Sequence, residues 1–126
     1  MAAAQKSTIL YAENDKKILD SQGDLLQKAG HAVTRTIGRA ATEQALKQQK
    51  FDLLILGHTL TKDDRHHLPY KARKSNEDMT ILVLHASGNH HEVDMAMDSR
   101  EGPEAVLRAV AGLLARPVAA AAGAGR

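Results

Sequence analysis

The sequence predicts a single α/β domain built on a doubly wound parallel sheet. Three observations carry this reading. Short β-branched or aliphatic runs alternate with helical patterns through most of the chain. One run, Phe51 to Leu56, is near-continuously apolar, as a strand covered on both faces must be. The chain has 126 residues, 43% of them apolar and 25% charged, which suits one core and leaves no room for a second.

The elements follow in order. Ser7 to Ala12 reads as a buried strand. The helix over Asp15 to Ala29 carries Ile18, Leu19, Gln22, Leu25, Leu26 and Ala29 on one face. Asn14 or Asp15 caps it, and Gly30 stands where a left-handed residue closes a helix. Gly23 inside that helix costs up to about 1 kcal/mol relative to alanine. His31 to Arg35 is the second strand, and Gly38 leads into a helix over Arg39 to Gln49. After the central strand, Thr61 and Asp64 have capping-box spacing and open a helix to about Lys74. Pro69 predicts either a kink there or a later start. Met79 to Leu84 and the weaker Val93 to Met97 are the last two strands. Only about eight residues, Ser87 to Asp94, join them, so the crossover helix should be shortened or absent. Gly102-Pro103-Glu104 opens a final helix to about Ala115, with Val106, Leu107, Val110, Leu113 and Leu114 inward. Residues 1–6 read as a flexible lead, 7–116 as the domain and 117–126 as a disordered Ala/Gly tail.

Composition narrows function. Tyr11, Phe51 and Tyr70 are the only aromatics, too few for a stacking platform on single-stranded nucleic acid. Cysteine is absent, which removes disulfides, thiolate metal sites and cysteine nucleophiles. A formal charge of +2, with only Lys71, Arg73 and Lys74 clustered, does not predict a nucleic-acid partner. No apolar run is long enough to cross a bilayer or, in Met1 to Lys6, to serve as a signal peptide. No membrane partner and a cytoplasmic location are therefore expected.

Three stretches together resemble a response-regulator receiver domain: Ile9 to Asp15 (ILYAEND), Phe51 to Gly57 (FDLLILG) and Thr80 to Ala86. Pro103 to Leu107 matches the family's last helix as well. The resemblance covers about Ser7 to Arg116. It implies the flavodoxin-like, CheY-like topology with strand order 2-1-3-4-5. It also implies a phosphoryl-accepting aspartate after the third strand, flanking carboxylates for Mg²⁺, and a hydroxyl and a lysine for the phosphoryl oxygens. On this chain those positions fall on Gly57, on Glu13 and Asn14, on His85, and near Ser99, with Arg100 the closest basic residue. Every one departs from the family's residue. Glycine offers neither a nucleophile nor a ligand, and Glu13 with nearby Asp15 makes a poor Mg²⁺ site. His85 either pairs with Glu13 across the pocket or hydrogen-bonds a loop carbonyl.

The resemblance thus implies a pseudo-receiver: a module of two-component signalling with no enzyme activity and no cofactor. Its expected partner is another signalling protein or a second copy, met through protein–protein interaction. The face that includes the last helix, with Glu104, Arg108 and Ala111 outward, is the expected contact. Seven histidines offer a different class of function. His58, His85, His90 and His91 fall at the carboxyl edge of the sheet, with His66, His67, Asp63 and Asp64 nearby. A small metal-binding protein is the alternative, although no spacing matches a zinc motif. Thr59 and Ser87 lie near these histidines, but no G-x-S-x-G elbow or Gly-rich phosphate loop accompanies them.

Overall fold

The structure, a computed structural model, describes residues 7–76, 79–84, 95–97 and 101–115. Among the described residues five strands and four helices follow in order: β1 (Thr8–Glu13), α1 (Lys16–Lys28), β2 (Ala32–Ile37), α2 (Gly38–Gln48), β3 (Leu53–Leu56), α3 (Lys62–Ser75), β4 (Thr80–Val83), β5 (Met95–Ala96) and α4 (Pro103–Ala115). All strand pairs are parallel, and the order is β2-β1-β3-β4-β5, as expected. The expected shortening of the crossover before β5, the lead and the tail lie outside the described residues.

Alternation along the strands divides the core into two layers. Leu10, Ala12, Leu54, Leu56, Ile81 and Val83 face Ala45 and Leu46 of α2 and Leu68 and Ala72 of α3. Ile9, Tyr11, Leu53, Ile55 and Leu82 face Leu19 and Leu26 of α1 and Val106, Val110 and Leu113 of α4. The central strands are buried on both faces, which is why β3 reads as an unbroken apolar run.

Side-chain caps set the starts of α1 and α3. Asp15, not Asn14, caps α1: its carboxylate accepts from Ile18 N–H at 3.1 Å. Thr61 accepts from Asp64 N–H at 3.1 Å and starts α3 at Lys62, so Pro69 does not delay the helix but sits buried inside it. β2 extends two residues past Arg35, because Thr36 and Ile37 stay in register with Ala12 and Glu13. Thr36 Oγ1 meets Thr42 Oγ1 at 2.8 Å, and Thr42 in turn donates to Gly38 O at 2.7 Å, tying β2 to the first turn of α2. Ala29, expected on the inner face of α1, is exposed.

Gly23 has a packing reason that periodicity does not reveal. Arg35 reaches from β2 across α1, and its guanidinium meets Asp24 Oδ1 and Gln27 Oε1, both at 2.8 Å, and Asp20 O at 3.3 Å. A Cβ at residue 23 would come within 2.4 Å of Arg35 Nε. The guanidinium is held at several points, so it cannot move aside without losing those bonds.

Gly23→Ala should therefore destabilise the fold by about 1 kcal/mol, although helix propensity alone predicts a gain of similar size. In an Arg35→Met background the same change should be neutral or stabilising. Urea denaturation of the four proteins reads both effects.

Candidate functional site: the carboxyl edge of the sheet

The edge is best built from strand register. Ala12 pairs with Leu56, and Gly57 N–H donates to Ala12 O at 2.9 Å, so Glu13 and Gly57 are neighbours one step further along. Laterally paired residues on parallel strands point to the same face. Residue 57 contributes no side chain there, and Glu13 folds across into the empty place. A Cβ built on Gly57 would lie 1.8 Å from the Glu13 carboxyl carbon and 2.0 Å from each of its oxygens.

Glu13 is fully buried, and three donors balance its desolvation. Tyr11, two residues earlier on the same face of β1, donates its hydroxyl to Oε2. Thr59 donates its hydroxyl at 2.6 Å and its backbone N–H at 3.0 Å, both to Oε1. Thr59 Oγ1 also accepts from Asn14 N–H at 2.7 Å and Asp15 N–H at 3.1 Å. One hydroxyl thus joins the loop after β1 to the loop after β3. Arg65 of α3 braces the second loop by donating to the carbonyls of His58, at 3.2 Å, and Leu60. Burial lowers the Arg65 pKa, and the Glu13 charge opposes that shift. The Tyr11 phenol is shifted strongly upward, first by burial and then by the charge and hydrogen bond of Glu13.

Of the residues expected at this edge, Glu13, Asn14 and Gly57 come together; His85 and Ser99, like His90 and His91, lie outside the described residues. Both Glu13 oxygens are taken by Tyr11 and Thr59, the partners that sequence reasoning did not assign to the site. The i, i+2 spacing of Tyr11 and Glu13 on a buried strand is the signal that could have found the first. Among the described residues no group of three His, Asp or Glu side chains is placed to hold a metal ion. Mg²⁺ does not fit the carboxylates of this edge among the described residues. Glu13 is internally satisfied, Asp15 spends Oδ1 on its cap, and Asn14 is neutral.

No protein-family model and no curated protein matches the sequence. Solved structures match its fold. A CheY-like response regulator receiver domain protein from Methanospirillum hungatei is 20% identical, with a TM-score of 0.76 over 87% of this chain and 94% of that one. A response regulator receiver protein from Sinorhizobium medicae is 22% identical, with a TM-score of 0.76 over 87% and 95%. The response regulator TrrA from Thermotoga maritima, solved in complex with Mg²⁺-BeF, is 17% identical, with a TM-score of 0.75 over 85% and 98%. The fold is that of CheY-like receiver domains, a flavodoxin-like parallel sheet, and the chain spans nearly the whole length of these structures.

Two outcomes test the edge geometry. Gly57→Ala should cost about 3 kcal/mol, since its methyl displaces Glu13 and strands buried donors. A double-mutant cycle with Glu13→Ala should then show a coupling above about 1 kcal/mol. Additive losses would contradict the contact.

The raised Tyr11 pKa has a definite sign. The folded state favours the neutral phenol, so this stability is fully present below the ordinary value of 10.0 and is lost as pH rises beyond it. In a Tyr70→Phe protein, phenolate absorbance near 295 nm should therefore appear only together with loss of far-UV circular dichroism.

Proposed function

We propose that this chain is a pseudo-receiver, a signalling module without enzyme activity. On this reading it acts through protein contacts and is not phosphorylated by the receiver mechanism. One observation carries the reading: the Glu13 carboxylate fills the space that an acceptor side chain on residue 57 would need. Phosphoryl transfer to a carboxylate requires an exposed nucleophilic oxygen and a cation to spread the developing charge. Residue 57 has no such oxygen. Glu13 has oxygens, but both are buried and hydrogen-bonded.

The Thermotoga regulator binds Mg²⁺-BeF, a phosphoryl mimic, on a fold shared with this chain. The residues here support no such complex. The receiver-like unit is read as residues 7–116, and the setting as cytoplasmic. None of the described helices is long and apolar enough to cross a membrane. The partner is a signalling protein or a second copy. The metal-binding alternative gains no support from the described residues, which include only His58 of its set.

Incubation with acetyl phosphate and Mg²⁺, or with beryllofluoride and Mg²⁺, should leave intact mass and amide spectra unchanged. A stoichiometric adduct at the carboxyl edge overturns the reading. Gly57→Asp should not restore labelling, because Asn14 still leaves any cation short of a carboxylate and the new Cβ collides with Glu13.

A further inference from the structure

A groove runs between α2 and α3, on the opposite side of the sheet from α1 and α4. Its wider end is a cleft of about 470 Å³ lined by Arg39, Asp63, His66, His67 and Tyr70. Its narrower end is lined by Glu43, Leu46, Lys47, Lys71 and Ser75. Tyr70 is 52% exposed, one of three aromatics in the chain, and Lys74 Nζ lies 5.2 Å from its ring centroid. An exposed tyrosine beside an arginine is the residue chemistry that dominates protein interfaces.

The charges of the groove are unequally engaged. Glu43 Oε2 lies 3.4 Å from Arg39 Nε and 3.9 Å from His67 Nε2, and Asp64 lies 3.7 Å from Arg39 Nη1. Among the described residues no carboxylate lies within 4.0 Å of Lys47, Lys71 or Lys74. The narrow end thus carries Lys47 and Lys71 beside Glu43, with Leu46 buried beneath them, and Lys74 stands by the exposed ring of Tyr70.

We infer that the α2–α3 groove is a docking surface for an acidic protein segment. Its carboxylates meet Lys47, Lys71 and Lys74 while an apolar side chain covers the exposed ring of Tyr70. This deepens the proposed function by moving the contact from the face that includes α4 to this groove, and it rests on that reading. A small ligand fits less well, because the groove is open and polar, whereas such sites are enclosed and mostly apolar. A nucleic acid fits less well too, because Glu43, Asp63 and Asp64 interrupt the basic track that phosphates need.

The test is an amide NMR titration at low salt with a short amphipathic peptide of Glu, Leu and Ala. A matched Lys peptide and a single-stranded oligonucleotide are titrated beside it. The Glu peptide should shift Lys47, Tyr70, Lys71 and Lys74. The double variant Lys47→Glu, Lys71→Glu should bind at least ten-fold more weakly, and Lys47→Gln, Lys71→Gln should fall between it and the unaltered protein. Circular dichroism melts confirm that each variant folds. The inference is overturned by no shift, by equal shifts with the Lys peptide, by tighter oligonucleotide binding, or by shifts confined to α4. Its failure is separable from failure of the functional reading. An adduct with acetyl phosphate would sink only the latter, and a silent groove in an unphosphorylated protein only the former.

Discussion

A carboxylate buried at the end of a parallel sheet is the constraint around which this molecule is arranged. Left bare, such a group would cost several kcal/mol. Glu13 avoids that through three donors from two residues, Tyr11 and Thr59, and through the space left by a third, Gly57. None of these can change alone. A side chain at 57 expels the carboxylate, and loss of the carboxylate strands the Tyr11 hydroxyl between the sheet and its helices.

The same cluster orders the loops beside it. Thr59 Oγ1 donates to Glu13 while accepting the N–H groups of Asn14 and Asp15, so the loop after β1 and the start of the loop after β3 share one hydroxyl. Arg65 then ties that loop to α3. The donors and acceptors of these loops are already spent on one another. The outer surface is varied. Arg35 is folded down onto α1, the exposed residues at the end of α4 are small and apolar, and the α2–α3 groove exposes Tyr70 beside Lys74.

Much of the fold was legible in the sequence because burial on both faces leaves a plain mark. Leu53 to Leu56 and Ile81 to Val83 are apolar throughout, and the buried positions of α1 and α4 recur every three to four residues. Asp15 and Thr61 announced two helix starts through cap chemistry that is local in sequence. Boundaries set by distant partners were not legible. β2 runs on to Ile37 because β1 offers it a ladder, and Gly23, which reads as a flaw in α1, makes room for Arg35 from a different strand.

The site divides along the same line. The sequence by itself determined that residue 57 has no nucleophile and that Asn14 carries no charge, since composition at a position needs no partner to be known. It also determined that a parallel sheet would bring Glu13 and Gly57 to one edge. Only the tertiary structure decided what became of the vacancy. Glu13 could have turned to solvent, as carboxylates at sheet edges commonly do. It turns inward because Tyr11 lies beneath it on the same face and Thr59 comes over it from another loop. The hydrogen bonds that hold it join residues up to 46 positions apart. No local pattern encodes a contact of that span; it exists only once the strands are in register.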